Sequence, residues 1–160
     1  MYTLDPIVID QIDALLTDEH NPITNLSNAS ALLADAMPET NWVGFYLFSN
    51  ATGTLDLGPF QGKVACMHIT PGSGVVGTCY AKNEAIVVPD VHAFPGHIAC
   101  DAASNAEVVV PLVVDGKTIG VLDIDSPTTD RFSNEERETL VEFAAALAKH
   151  VDVKALNAVY

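Results

Sequence analysis

Positive charge is scarce in this sequence. Its 160 residues include 7 Lys and Arg against 21 Asp and Glu, so the formal net charge is −14. No Lys or Arg precedes Lys63. Because a chain this acidic repels phosphate backbones and anionic lipid headgroups, the composition argues against nucleic-acid binding and against a membrane-surface role.

Long apolar runs are also missing. The longest one, Val108–Val114, has seven residues, whereas a membrane-spanning helix needs about 20. The N-terminal sequence lacks the basic start and apolar middle of a signal peptide. Hydrophobic residues still make up 49% of the chain, which is the composition of a folding protein. We therefore expect a soluble, cytoplasmic protein.

Cysteines are few: Cys66, Cys79 and Cys100, with no C-x-x-C pair. An odd and sparse set argues against a disulfide scaffold and against a thioredoxin-type motif. The cysteines can be buried filler, metal ligands or redox groups. Cys66-x-His68 and His97-x-x-Cys100 are possible zinc ligand pairs, but the C-x₂₋₄-C knuckle typical of structural zinc sites is absent.

Apolar periodicity predicts helices at both ends of the chain. In the first helix, after Asp5-Pro6, the residues expected on one apolar face are Val8, Ile12, Leu15 and Leu16. A second helix follows Asn21-Pro22 and ends at Pro38. Ser133 begins the last helix with Glu136 as its capping-box partner.

Between these helices the pattern alternates as in strands. The predicted strands are Asn41–Ser49, Thr54–Phe60, Val64–Ile69, Ala85–Val88, Glu107–Val113 and Thr118–Asp125, with a short helix after Gly74. A hairpin at Asp115-Gly116 favours a largely antiparallel α+β sheet.

A long segment with little helix or strand pattern, Pro89–Ala106, carries Cys100. Loops of this length inside a compact domain are usually functional. The neighbouring His97 would favour the Cys100 thiolate, whereas Asp101 would oppose it. The residues alone leave open whether Cys100 is reactive or a small buried hydrophobe.

Asp123 and Asp125 share one face of a predicted strand. Glu107 reaches that face only in one hairpin register. A two-residue loop, Asp115-Gly116, would turn Glu107 away, whereas a three-residue loop, Val114–Gly116, would set it directly across from Asp123. Facing carboxylates need a bound ammonium group or a proton on a carboxyl of raised pKa. A functional cluster therefore predicts the three-residue loop. Solvated acids at a strand end are the alternative.

Two further features can belong to a pocket. The run Gly72–Gly77 matches G-x-G-x-x-G, but the antiparallel pattern disagrees with a dinucleotide fold. We interpret it either as a tight turn into a short helix whose N-terminus can meet a small anion such as a carboxylate, or as a turn without such a role. Trp42 and Tyr46 share a strand face, as core residues or as the apolar wall of a small pocket.

Three stretches carry a family resemblance. They read LGPFQGKVACMHI (Leu57–Ile69), VPDVHAFPGHIACDAASNAEVVVPL (Val88–Leu112) and IGVLDIDSP (Ile119–Pro127). The chain resembles the free methionine-(R)-sulfoxide reductase family, which is built on the GAF domain. The resemblance implies one GAF-type domain over 1–160, with N-terminal helices in 1–38, the sheet and active-site loops in 41–127 and a C-terminal helix in 133–154. It implies a central antiparallel sheet of about six strands with helices on its faces.

The resemblance also implies roles for particular residues. Cys100 corresponds to the nucleophile and Cys66 to the resolving cysteine. The place of the family's middle cysteine holds Val76, so Cys79 is a possible alternative resolving thiol. The family's glutamate and two aspartates fall on Glu107, Asp123 and Asp125, and its tryptophan falls on Trp42. With Tyr46, which shares the strand face of Trp42, these are the expected substrate-binding residues.

The implied activity is the reduction of free L-methionine (R)-sulfoxide through a sulfenic acid on Cys100 and an intramolecular disulfide. Thioredoxin or a similar dithiol would recycle the enzyme, which is expected to be a homodimer without metal or cofactor. The alternative function is a non-catalytic GAF module that senses a nucleotide or another small ligand.

Overall fold

Strands with alternating apolar side chains form the sheet at the centre of the molecule. The computed structural model describes residues 2–98, 100 and 103–160. Its six strands are β1 (Trp42–Ser49), β2 (Thr54–Gly62), β3 (His68–Ile69), β4 (Ile86–Val88), β5 (Ala106–Val114) and β6 (Lys117–Ser126). They form one antiparallel sheet in the order β3-β2-β1-β6-β5-β4, which confirms the predicted α+β architecture.

Helices cover both faces of this sheet. They are α1 (Ile7–Leu15), α2 (Pro22–Ala36), α3 (Gly74–Lys82), α4 (Asn134–Ala148) and α5 (Val153–Asn157), with a 3₁₀ turn at Val91–Ala93. Within the described residues, none of the helices combines the length and the apolar character needed to span a membrane.

Alternation along β1 divides the apolar core into two. Val43, Phe45 and Leu47 pack with α1, α2, α4 and α5 on one face of the sheet. Trp42 and Tyr46 point to the other face, where α3 and the long loop before β5 cover them. Because both faces of β1 are apolar, the strand is buried on both sides, as the sequence predicts.

The N-terminal helices follow their predicted pattern with one exception. The Asn21 side chain caps α2 by accepting hydrogen bonds from the backbone N–H groups of Ile23 and Thr24. Val8, Ile12 and Leu16 are buried, but Leu15 is 51% exposed, so its predicted place in the apolar face is wrong. The i, i+4 series from Val8 to Leu16 faces the sheet, and Leu15 lies beside that stripe on the solvent side.

The C-terminal segment is two helices rather than the single helix predicted over 133–154. The capping box of Ser133 and Glu136 begins α4, as expected. The helix ends at Ala148, and the Asp152 side chain then accepts a hydrogen bond from the Ala155 N–H to begin α5. A new N-cap four residues after the first helix ends redirects the chain.

The predicted strand Val64–Ile69 is also mostly wrong, because only His68–Ile69 pairs with β2. Val64 and Met67 are 89% and 72% exposed. The Trp42 and Tyr46 side chains donate hydrogen bonds to two backbone carbonyls here, that of Lys63 just before the segment and that of Cys66 within it. The first part of the segment is therefore a loop beside Trp42 and Tyr46, on the α3 side of the sheet.

One buried ion pair joins the start of α4 to the turn before β1. Both oxygens of Glu136 accept hydrogen bonds from Arg131 Nη1, at 3.0 and 2.9 Å. Arg131 also donates from Nε to the Pro38 carbonyl, 2.9 Å away. Both side chains are about 1% exposed. Removing one partner would therefore leave an uncompensated charge in the core.

We expect Glu136→Ala to lower the free energy of unfolding by about 3–5 kcal/mol, because Arg131 would stay buried without its partner. Urea denaturation measures this. Glu135→Ala changes an exposed carboxylate of the same helical turn and should cost less than about 1 kcal/mol. Equal losses in the two variants would contradict the importance of the buried pair.

Candidate active site

A register shift in the β5–β6 hairpin decides which acids meet. The loop has two residues, since Val114 pairs with Lys117 and both Asp115 and Gly116 have positive φ. The three-residue loop predicted from the sequence is therefore wrong. Further along, Val113 pairs with Thr118 but Leu112 pairs with Gly120, so one residue of β6 is unmatched.

That unmatched residue, Ile119, is a β-bulge that reverses the alternation of β6. Ile119 lies in the core on the side of the sheet covered by α1, α2, α4 and α5, whereas Val121 lies on the α3 side. Beyond the bulge, Glu107 pairs with Asp125, and Asp123 pairs with Val109. The prediction that Glu107 lies directly across from Asp123 is therefore wrong. The bulge nevertheless brings all three acids to one face of the sheet, which is the arrangement that the three-residue loop was expected to produce.

The three carboxyl groups form a tight cluster. One oxygen of each lies within 4.8 Å of the others. Glu107 is 7% and Asp123 5% exposed, whereas Asp125 is partly buried. Burial, the charges of Asp123 and Asp125 and hydrogen bonds to both raise the pKa of Glu107 well above its ordinary value. Burial raises the pKa of Asp123 to about 6. The cluster can therefore hold a proton at neutral pH.

One oxygen of this cluster lacks a donor. Asp123 Oδ1 is buried and accepts no hydrogen bond from any group in the described part of the chain. A buried carboxylate oxygen without a donor is costly to leave unsatisfied. The three oxygens suit a cation, either an ammonium group or a metal ion, and the orphaned atom indicates that a donor completes the site.

These acids form one wall of a pocket on the α3 side of the sheet. Its other walls come from β1, the start of α3 and the two loops that carry Cys66 and Cys100. Its lining residues are Trp42, Tyr46, Val64, Ala65, Ile69, Ser73, Gly74, Val75, Val76, His97, Ile98, Cys100, Ser104, Glu107, Asp123 and Asp125.

Trp42 and Tyr46 form the aromatic wall. Their rings stack with centroids 5.8 Å apart, and Phe60 stacks on Trp42 at 5.1 Å. Both also hold the loop above them, because Trp42 Nε1 donates to the Lys63 carbonyl and the Tyr46 hydroxyl donates to the Cys66 carbonyl, at 3.2 and 2.9 Å. Phe60 was not predicted as part of the site. Apolar alternation along β2 predicts a strand, but it does not show that the Phe60 ring packs on Trp42.

Cys66 and Cys100 are joined in a disulfide, with Cα atoms 5.4 Å apart and a sequence separation of 34. Both cysteines are partly buried. Cys100 lines the pocket, so the bond lies at the edge of the cavity that contains the three acids. Ala99, Asp101 and Ala102 lie outside the described residues. The predicted effect of Asp101 on the Cys100 thiolate therefore stays a prediction.

The third cysteine has different surroundings. Cys79 lies in α3 as predicted, and it is a buried free thiol. Burial and the nearby charge of Asp123 raise the pKa of the Cys79 thiol well above its ordinary value. Since the thiolate is the nucleophile, this environment suppresses the reactivity of Cys79.

The zinc ligand set considered from the sequence is not assembled among the described residues. The two cysteines are bonded to each other, and His68 Nδ1 lies 2.6 Å from Asp56 Oδ1. His97 lines the pocket, and its burial lowers its pKa, with a further contribution from His92.

The glycine-rich turn reaches the pocket as expected. Gly72 and Gly74 have positive φ, and α3 begins at Gly74. The Ser73 side chain does not cap the helix, and Gly74, Val75 and Val76 line the pocket. The backbone N–H groups of a helix start favour an anion. The end of the pocket at the start of α3 thus favours an anion, and the end formed by Glu107, Asp123 and Asp125 favours a cation.

Comparisons with known proteins agree with this geometry. A family model of the GAF domain matches residues 9–151. Protein YtsP of Bacillus subtilis is 51% identical over 143 residues, which cover 89% of this chain and 88% of that protein. The free methionine-R-sulfoxide reductase of Escherichia coli is 50% identical over 137 residues, with 86% and 82% coverage.

The chain belongs to the free methionine-R-sulfoxide reductase family of GAF-domain proteins. The solved structure of the free methionine-R-sulfoxide reductase from Neisseria meningitidis, in complex with its substrate, superimposes with a TM-score of 0.87 at 42% identity. It covers 96% of this chain, which covers 90% of that one. The GAF fold predicted from the family resemblance is thereby confirmed. In this member of the free methionine-R-sulfoxide reductase family, Val76 contributes an apolar side chain to the pocket.

The acid cluster predicts an unusual pH dependence of stability. The raised pKa values of Glu107 and Asp123 mean that the native state binds more protons than the unfolded state above about pH 4. The free energy of unfolding should therefore fall as pH rises through the native pKa values. Glu107→Gln imitates the neutral acid, so its stability relative to wild type should increase from pH 5 to pH 8, by about 1.4 kcal/mol per unit of pKa shift.

Urea denaturation of the disulfide form at several pH values measures this difference. Glu138→Gln, at an exposed position of α4, is the control and should give a difference from wild type that does not change with pH. A Glu107→Gln difference that is equally flat would contradict the raised pKa.

Proposed function

We propose that this protein reduces free L-methionine (R)-sulfoxide to L-methionine. The observation that carries the proposal is the Cys66–Cys100 disulfide at the edge of a pocket that holds three clustered carboxyl groups. The disulfide is the product expected of a two-electron reduction by two thiols. The printed names of the relatives from Escherichia coli and Neisseria meningitidis describe this activity in those proteins.

The two ends of the pocket match a free amino acid. The substrate ammonium group would donate to Asp123 Oδ1 and to Asp125, and its carboxylate would accept from the N–H groups at the start of α3. Trp42 and Tyr46 would pack against the methyl group and side chain. A methionine sulfoxide inside a peptide has neither free charge, so these two ends would select the free amino acid.

Glu107 is placed to supply the proton. The Cys100 thiolate attacks the sulfoxide sulfur, and the oxygen needs a proton as it is transferred. Among the three acids, Glu107 is held in its neutral form by burial and by two acidic neighbours. Thiolate, sulfoxide and one proton give methionine and a sulfenic acid on Cys100. The Cys66 thiol then condenses with it, releasing water and forming the disulfide.

We assign the resolving role to Cys66 rather than Cys79. Cys66 is bonded to Cys100, whereas Cys79 is buried in α3 with a raised thiol pKa. Thioredoxin or a similar protein dithiol would then reduce the bond, which places the cycle in a reducing, cytoplasmic compartment. The homodimer implied by the family resemblance stays a prediction, which the mass of the protein in solution tests.

Single-turnover stoichiometry tests the reaction. Reduced protein mixed with racemic free methionine sulfoxide, without a recycling system, should form about one methionine per chain, lose two thiols and consume only the R epimer. Cys100→Ser should form none, and Cys66→Ser should form one but fail to recycle. Cys79→Ser is the matched control and should behave as wild type. Intact thiols and no methionine in the wild type would leave a ligand-binding GAF domain without this chemistry.

Glu107→Gln and Asp125→Asn should separate proton donation from binding. Glu107→Gln removes the proton, so we expect the rate of methionine formation to fall by about 10²–10⁴-fold with little change in substrate affinity. Asp125→Asn should mainly raise KM, because it weakens the ammonium contact. Rapid-quench kinetics over a range of substrate concentrations distinguish them. The opposite pattern would exchange the two roles.

A further inference from the structure

Exposed apolar side chains cluster along the two segments that carry the disulfide. Val64 and Met67 lie within two residues of Cys66 and are 89% and 72% exposed, and Ile98 lies two residues before Cys100 and is 39% exposed. We call Val64, Met67 and Ile98 the apolar rim. Isolated exposed apolar residues are ordinary, but several around one reactive bond indicate a contact surface.

The same segments are free of negative charge. Residues 57–83 and 91–100 contain no Asp or Glu, although the chain has 21 of them, and Lys63 lies three residues before Cys66. Because the rest of the molecule repels acidic proteins, this is the region where a protein of ordinary or acidic surface can approach with least electrostatic cost.

The two cysteines of the disulfide differ in their relation to the pocket. Cys100 is a lining residue of the pocket, whereas Cys66 is not among the described residues that line it. The Cys66 backbone is held from below by the Tyr46 hydroxyl, 2.9 Å from its carbonyl oxygen. Met67, the next residue, is 72% exposed and is also outside the pocket lining.

We propose that the apolar rim is the docking surface of a protein dithiol and that the attacking thiolate of this partner reacts with Cys66 Sγ. The bond from the partner's sulfur to Cys66 forms as the Cys66–Cys100 bond breaks, and Cys100 leaves as the thiolate. The partner's second thiol then displaces Cys66 from the mixed disulfide. The partner is oxidised to its disulfide, and both cysteines of this chain are reduced.

This inference rests on the proposed function, because that function requires an external reductant. Cys100 would then regain its thiolate inside the pocket, where the next sulfoxide binds. A small thiol needs only access to sulfur, whereas a protein dithiol gains from the apolar contact. Comparing the rates of disulfide reduction by a protein dithiol and by a small dithiol therefore tests the apolar rim.

Met67 is the residue to change, since it lies outside the pocket lining. Met67→Glu and Met67→Lys should each lower kcat/KM for reduction of the disulfide by thioredoxin by about 10-fold, because either charge would be buried in an apolar contact. The rate with dithiothreitol should stay within about 2-fold of wild type. Leu15→Glu and Leu15→Lys are the matched controls, at an apolar side chain in α1 that is 51% exposed.

Several outcomes would overturn the docking surface. They are an unchanged rate with thioredoxin, an equal fall with dithiothreitol, or an effect of one charge sign alone, which would indicate long-range electrostatics rather than contact. The disulfide is formed with the sulfoxide substrate. If the substrate fails to form it, the proposed function fails, and protein oxidised with diamide still carries the docking test.

A trapping experiment tests which sulfur is attacked. A thioredoxin that retains only its attacking cysteine stops at the mixed disulfide. Peptide mapping should place this bond on Cys66. A bond on Cys100 would overturn the assignment of the attacked sulfur.

Discussion

The crowding of three carboxyl groups on one buried face of the sheet is the constraint on which the site depends. Glu107, Asp123 and Asp125 have oxygens within 4.8 Å of one another, and two of the three side chains are almost inaccessible to water. Such a cluster is stable only with a bound cation or a retained proton. The same electrostatic cost thus favours both a bound cation and an acid that stays protonated near neutral pH. A fold that avoided the cost would lose both.

The bulge at Ile119 shows what local sequence could and could not predict. Alternation along β1 and β6 identified the strands, the buried aromatics and the pair Asp123 and Asp125. The position of Glu107 depends on hairpin register, where one extra residue reverses every face. The predicted three-residue loop, Val114–Gly116, would hold that residue in the turn. In the structure the extra residue is Ile119, whose apolar side chain packs in the core formed with α1, α2, α4 and α5.

The other errors have a similar origin in tertiary contacts. Val64–Ile69 has the apolar content of a strand, but the Tyr46 hydroxyl donates to the Cys66 carbonyl and the disulfide fixes Cys66. Leu15 fits the apolar periodicity of a helix, but it lies just outside the stripe that faces the sheet. Periodicity within a segment cannot report which partner takes its backbone groups. The capping box of Ser133 and Glu136 was predictable because a cap is a local contact.

The aromatic wall connects substrate recognition to the disulfide. Trp42 and Tyr46 face the pocket with their rings and hold the Cys66 loop with their polar atoms. A ring that shifts to accommodate a ligand must therefore move, or strain, the hydrogen bond that positions Cys66. Since a buried hydroxyl or indole N–H without a partner is costly, the loop is kept over the pocket while the wall is intact. The wall thus holds Cys66 within bonding distance of Cys100, the cysteine that lines the pocket.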